Sequence, residues 1–187
     1  MPRDFKLPLV GLGTCCYEFS KENPDAGGGV CLRRRAREVS SAGLMGGKMA
    51  IVSLGSNIEP REDYLKRAIA ALSALPETRF VKASSVVETE PMDVPPEFAA
   101  MKFLNQVAVF ETTLEPFDFS RRMHAIEDDL GRVRTVRNGP RTIDIDLIDF
   151  GGQVINTPEL TLPHPRAHLR PFVQEPLMEL GMQICRS

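Results

Sequence analysis

Residues Leu130 to Phe150 read LGRVRTVRNGPRTIDIDLIDF, and the fold turns on their second half. Ile143, Ile145 and Leu147 alternate with Asp144 and Asp146, the period of two that marks a strand. Residues two apart in a strand share a face, roughly 6.6–6.8 Å apart along the axis. Both carboxylates therefore point one way, with the aliphatic side chains packed on the other side. Arg132, Arg134, Arg137 and Arg141 precede them, interrupted by the turn Asn138-Gly139-Pro140. Paired carboxylates on a rigid face suit a hard divalent cation such as Mg²⁺. Arginines beside them suit phosphate oxygens, which accept bidentate hydrogen bonds. The stretch fits a metal–polyphosphate complex. Its plain alternative is a solvated sheet face followed from an arginine-rich surface turn.

Elements on either side give the architecture. Ala50 to Leu54 reads as a buried strand ending in Gly55-Ser56-Asn57, a turn with helix-capping chemistry. Tyr64, Leu65, Ala68, Ile69, Leu72 and Leu75 recur at helical spacing, which predicts an amphipathic helix from Arg61 to Ala74. Strands follow at Phe80 to Val87 and Phe103 to Glu111, separated by a loop holding Pro91, Pro95 and Pro96. Pro116 opens a second helix that runs to about Leu130. The Asp144/Asp146 strand comes next, and Gly151-Gly152 turns the chain towards a short extension at Val154-Ile155. Strand, helix, strand, strand, helix, strand is the split βαβ order. It predicts an α+β, ferredoxin-like (βαββαβ) antiparallel sheet with helices packed on it, elaborated by extra strands and loops.

The first 48 residues have another texture. Gly27-Gly28-Gly29, Arg33-Arg34-Arg35, Gly43, Gly46 and Gly47 show no sustained period. They are expected to form a disordered N-terminal arm or to reflect a misassigned start at Met1, with the catalytic domain spanning 49–187. The whole chain has 23 basic and 25 acidic residues. The arm holds 8 basic and 5 acidic of these, leaving 15 and 20 in the body. A body acidic by five argues against a general nucleic-acid binder. Concentrating arginine around one segment of it fits a discrete anion site.

Four cysteines (Cys15, Cys16, Cys31, Cys185) form no C-x-x-C, and His124, His164 and His168 lack zinc-finger spacing. A reduced, cytoplasmic protein is expected. No apolar run reaches the ~20 residues that span a membrane, and no signal-peptide pattern stands at Met1. Phosphate-binding glycine loops are also missing. Lys48 follows Gly46-Gly47, but Ala42 occupies the first Walker A glycine, and Cys16 occupies the last glycine position after Gly11-Leu12-Gly13. A bound nucleotide would be held by side chains and metal.

LGRVR…RNGPRTIDIDL, with LGSN upstream and LPHPR…R-PF downstream, resembles the 6-hydroxymethyl-7,8-dihydropterin pyrophosphokinase family of folate biosynthesis. The resemblance covers about Ala50 to Leu180, with several separated motifs in order. It implies transfer of the terminal diphosphate of ATP to the hydroxymethyl group of a reduced pterin, leaving AMP. It implies two Mg²⁺ ions on Asp144 and Asp146, and ATP as co-substrate. Arg132, Arg134 and Arg141 match arginines that engage the phosphates or position the reacting groups, Arg132 and Arg141 together with the aspartates carrying catalysis. Glu127, His164 and Arg170 match nucleotide-binding positions. Thr89, Phe103, Asn105 and Phe172 match the pterin pocket.

From the residues alone, Phe103 and Asn105 read first as core strand positions, Glu127 as a solvated helical carboxylate and His164 as a loop histidine; the resemblance reverses the reading of Phe103 and Asn105. Asn138 departs from the family, some members of which carry an aromatic residue there. The partners implied are small molecules, ATP and the pterin, with no nucleic acid, no membrane and no obligate protein partner. Two rivals share the motif: a nucleotidyltransferase or phosphohydrolase using the same D-x-D, and a ferredoxin-like RNA-binding module. The RNA-binding module would need aromatic and basic residues where this strand carries aspartates. Two like charges on one strand face also lead to the expectation that removing either leaves stability unchanged or raised.

Overall fold

The structure, a computed structural model, describes residues 44–92, 94–133 and 139–183. The expectations for the arm up to residue 43 and for Arg134, Arg137, Asn138 and Cys185 lie outside the described residues. Four long strands build the sheet: β1 (Lys48–Ser56), β2 (Thr78–Ala83), β4 (Phe103–Thr112) and β5 (Asp144–Phe150). Their order is β2-β4-β1-β5, every pairing is antiparallel, and the short β3 (Val87–Thr89) extends the β2 side along β4. Helices α1 (Arg61–Ser73) and α2 (Pro116–Asp129) link the halves. This is the ferredoxin-like arrangement that the element order implied. Lys48 already pairs with Thr112, so the first strand begins one residue before the expected domain boundary.

Alternation along β1 and β4 sends one set of side chains to the helices. Ala50, Val52, Leu54, Ala108 and Phe110 are fully buried there against Leu65, Ala68 and Leu72 of α1 and Phe119 and Met123 of α2. Burying a side chain of this size is worth about 1.5–3 kcal/mol, so this face fixes the register. Acidic Glu62 and Asp63 in the first turn of α1, and Pro116 at the start of α2, fit helix N-termini.

The opposite face is split. Ile51, Val107, Val109 and Ile148 form an apolar half covered by Val173 and Leu177 of α3 (Pro171–Glu179) and by Ala167. Beyond it, the cross-strand rows become Val107–Ser53–Asp146 and then Asn105–Gly55–Asp144. The polar half is left open beside α3.

Two expectations need correction. The second strand does not run unbroken from Phe80 to Val87; it ends at Ala83, and β3 begins at Val87. Ser84 explains the break, because its hydroxyl takes the Val107 N–H at 3.1 Å and its carbonyl takes the Gln106 amide at 2.7 Å. Serine competing for backbone partners in this way ends regular pairing. The next residue, Ser85, donates both its N–H and its hydroxyl to Glu179 of α3, at 2.9 and 2.7 Å. The second correction concerns Asn57. It caps no helix; its Oδ1 accepts the Arg141 N–H at 2.8 Å. The short extension after Gly151-Gly152 pairs as a two-stranded ribbon, β6 (Ile155–Asn156) with β7 (Thr161–Leu162).

Candidate active site

A cleft of about 170 Å³ opens on the polar half of the sheet. Asp144 and Asp146 stand on its floor beside Ser53 and Gly55, as the register requires. Gly55 has a steric role. A Cβ there would lie 3.0 Å from Asn105 Oδ1, close enough to push the amide aside by a few tenths of an ångström, and in ordinary contact with the Phe103 ring at 3.8 Å.

One end of the cleft is shaped for a flat polar ring. Phe103 and Phe172 present aromatic surfaces, and Asn105, almost fully buried, supplies the amide. Asn105 Nδ2 donates to Thr89 Oγ1 at 2.7 Å, which fixes the amide orientation and leaves its remaining donor and its carbonyl for a ligand. The other end is a lattice of charges. Asp144 accepts from Arg132 Nη2 through Oδ1 and from Arg141 Nη1 through Oδ2, both at 2.6 Å. Asp146 Oδ2 accepts from Arg170 Nη1 at 3.0 Å. The Arg141 and Arg170 guanidiniums also lie 5.5 Å from the centroids of the Phe103 and Phe172 rings, within cation–π range. The same two arginines thus touch both ends of the cleft.

Backbone bonds hold this lattice in place. Arg141 is latched to the end of β1 by Asn57, whose N–H also donates to the Arg141 carbonyl at 3.3 Å. Glu127, at the end of α2, does not line the cleft. Its carboxylate is fully buried, binds the Arg132 guanidinium, and accepts the Ile145 N–H at 2.7 Å. Ile145 sits between the two aspartates, so Glu127 braces both an arginine and the carboxylate-bearing strand. The resemblance gives Glu127 a nucleotide contact; the structure places its carboxylate against Arg132 and the strand, off the cleft lining.

His164 lies outside the cleft lining but within the fields of Asp146, Arg170 and Arg166. Burial pushes its imidazole below the usual value, Asp146 opposes that shift, and the two arginines reinforce it. The Arg166 N–H donates to Nδ1 at 3.2 Å, so the neutral ring carries its proton on Nε2 and offers a donor.

Thr89, Phe103, Asn105, Arg141, Asp144, Asp146, Arg170 and Phe172 all line this one cleft. Arg132 joins it through Asp144. Arg166, part of the LPHPR motif but given no role of its own, also lines the cleft; sequence reading gave no site role to Ser53, Gly55, Asn57 or the lining residues Glu90, Met92 and Leu169. The LGSN segment did contain a signal for Gly55, since a glycine inside a strand often marks a close approach.

A metal would find two hard oxygen donors on one face and, among the described residues, no group of three or more candidate ligands. That set fits Mg²⁺, which commonly takes one or two carboxylates and fills its octahedron with water and substrate phosphate. Among the described residues no helix is long and apolar enough to cross a membrane.

Comparison with known proteins shows the family. The family model described as 7,8-dihydro-6-hydroxymethylpterin-pyrophosphokinase (HPPK) matches residues 51–182. A Bacillus subtilis protein, 2-amino-4-hydroxy-6-hydroxymethyldihydropteridine pyrophosphokinase, is 40% identical over 136 residues, 73% of this chain and 80% of the relative. A Pseudomonas aeruginosa protein of the same name is 42% identical over 134 residues, 70% of this chain and 78% of the relative. Among solved structures, Plasmodium falciparum HPPK-DHPS with pteroate aligns at a TM-score of 0.55 and 14% identity, a likeness of fold. It covers 73% of this chain, which spans 39% of that longer one. The chain belongs to the 7,8-dihydro-6-hydroxymethylpterin-pyrophosphokinase family.

Proposed function

We propose that this protein transfers a diphosphate group from ATP to the hydroxymethyl group of 6-hydroxymethyl-7,8-dihydropterin, giving the pterin diphosphate and AMP. The observation that carries the reading is one cleft holding an aromatic–amide slot beside two aspartates and their arginines. The slot formed by Phe103, Phe172, Asn105 and Thr89 stacks the pterin and pairs with its polar edge. Arg141 and Arg170, touching both ends of the cleft, bind the phosphate chain and set it against the pterin hydroxyl. Arg132, braced by Glu127, and Arg134 add to the charge that receives the phosphates, and His164 Nε2–H donates to the nucleotide.

Asp144 and Asp146 would hold two Mg²⁺ ions, which would supply charge neutralisation to the phosphates and polarise the attacking hydroxyl. The protein's own contribution is orientation and fixed charge. The pterin oxygen attacks the β-phosphorus in line and AMP departs, so no covalent enzyme intermediate is required. The use of ATP favours a cytoplasmic enzyme acting on small molecules alone. We assign the catalytic unit to the sheet and its helices, starting at the first strand, and give the arm no part in the chemistry.

The test is product analysis with ATP, Mg²⁺ and 6-hydroxymethyl-7,8-dihydropterin. AMP and the pterin diphosphate should appear in equal amounts. ADP, or free phosphate without a modified pterin, would replace this reading with a kinase or phosphohydrolase.

A further inference from the structure

We propose that Arg166 is a further binding residue of this cleft, taking a phosphate oxygen of the nucleotide co-substrate. This rests on the function proposed above. The starting observation is a balance of charge. Arg132, Arg141 and Arg170 are each paired with carboxylates, namely Glu127, Asp144 and Asp146. Each of these three guanidiniums is thus already committed to at least one carboxylate. Glu90 also lines the cleft, but Lys102 answers it at 2.7 Å. Arg166 lines the cleft too, and among the described residues its guanidinium pairs with no carboxylate.

Its backbone, by contrast, is well held. The Arg166 N–H donates to His164 Nδ1 at 3.2 Å, and its carbonyl accepts the Leu169 N–H at 3.1 Å. His164 is fastened to β5 by its own N–H to the Ile148 carbonyl, at 2.8 Å. An exposed side chain thus springs from a fixed point two residues from His164 and four from Arg170.

The consequence for a polyanion follows from partner exchange. Arg132, Arg141 and Arg170 can bind phosphate fully only by yielding part of their hold on a carboxylate. Arg166 yields nothing, so its charge is available at encounter and its hydrogen bonds to phosphate are all gained. A guanidinium also presents a planar fork suited to phosphate oxygens. Arg166 should therefore act on nucleotide affinity. The phosphate chain of the product, the pterin diphosphate, offers the same chemistry and is the second source to be separated.

The experiment compares the full chain with Arg166→Gln and Arg166→Lys. Calorimetry with Mg²⁺ and a non-hydrolysable ATP analogue should show affinity weakened roughly 5-fold to 30-fold in Arg166→Gln, the range of a partly exposed charge-assisted hydrogen bond. Arg166→Lys should recover part of that loss. Affinity for the unmodified pterin should stay within about twofold, and an exposed substitution should leave the melting temperature unchanged. Titration with the pterin diphosphate separates the sources. A loss for the nucleotide alone, or for both ligands, supports the contact, whereas a loss for the product alone overturns it. Nucleotide affinity within twofold of the parent also overturns it, as does an equal loss for the unmodified pterin. A parent protein that binds no nucleotide would instead sink the proposed function and this inference with it.

Discussion

Asp144 and Asp146 share a strand face and, on the reaction proposed, a metal, yet removing them should have unequal effects on stability. Their like charges suggested that either change to alanine would leave the protein as stable or more so. The arginine pairs reverse that expectation for Asp144. It takes one guanidinium on each oxygen, and Arg132 and Arg141 are only 14% and 18% exposed in their side chains. Asp144→Ala takes Arg141's carboxylate partner and one of the two that hold Arg132, which keeps Glu127, in a half-dry cleft. Breaking a fully buried pair costs ~3–5 kcal/mol and an exposed one ~0–1 kcal/mol. An intermediate site with two partners should lose about 2 kcal/mol, or roughly 4–8 °C in melting temperature for a domain of this size. Asp146 has one partner at 3.0 Å and is itself 33% exposed. Asp146→Ala should shift the midpoint by less than about 3 °C.

Activity should not follow the same order. Either change removes a metal donor, and losing ~4 kcal/mol of transition-state stabilisation slows turnover on the order of 10³-fold. Differential scanning calorimetry without metal or nucleotide, paired with AMP release under saturating substrates, reads both quantities on the same preparations. An Asp144→Ala protein that melts at or above the parent temperature would refute the reasoning, because the arginines would then be indifferent to their carboxylate.

Asn105→Ala should weaken pterin binding by ~1–3 kcal/mol, the cost of one buried hydrogen-bonding partner, and nucleotide binding much less; calorimetry showing equal losses would put Asn105 in the scaffold. Glu127→Gln keeps the side-chain volume but removes the charge bracing Arg132, so kcat should fall about 10–100-fold through mispositioning with pterin affinity held. A pure loss of nucleotide affinity would instead make Glu127 a direct contact. Asp149 is fully buried with Oδ2 unpartnered, and burial pushes its carboxyl above the usual range despite the Gly152 N–H on Oδ1. The folded state thus holds this proton more tightly than the unfolded one, and stability is lost as pH rises through the folded value. Asp149→Asn should accordingly melt higher than the parent at neutral pH, with the gap closing towards about pH 4; a gap that persists in acid would rule out ionisation as its cause. A chain beginning at Leu44, which keeps the Gly47 N–H to Leu44 carbonyl bond, should retain its melting midpoint and turnover, and lost turnover would give the arm a role.

Much of the fold was legible because three signals agreed along most of the chain. Periodicity, turn residues and element order all pointed to one split βαβ sheet, and Arg61–Ser73 and Pro116–Asp129 form within one residue of expectation. The final helix was not legible. Pro171 and Pro176 both lie within α3, and prolines five apart read as punctuation unless the first is recognised at a helix start. Ser84 was invisible for another reason: its effect on β2 depends on Val107 and Gln106, partners more than twenty residues away.

The site divides along the same line, between what a strand imposes locally and what long-range contacts decide. That Asp144 and Asp146 share a face needs only a strand. Continuing that alternation would also put Ile148 and Phe150 on their face, and this fails midway. Ile148 packs against α3, whereas Phe150 is buried on the α1/α2 side. The pairing slips where Ile51 faces Asp149 and Val52 faces Leu147, leaving Ile148 as the extra residue. A bulge of this kind reverses which side later residues face. It lets one strand deliver two carboxylates to the cleft and an aromatic ring to the opposite core. Charge partners are equally non-local: Asn57 reaches Arg141, and Arg170 reaches Asp146, across 84 and 24 residues. The sequence names the charges of this cleft; only the fold shows that three of its arginines are already answered and that, among the described residues, Arg166 meets no carboxylate.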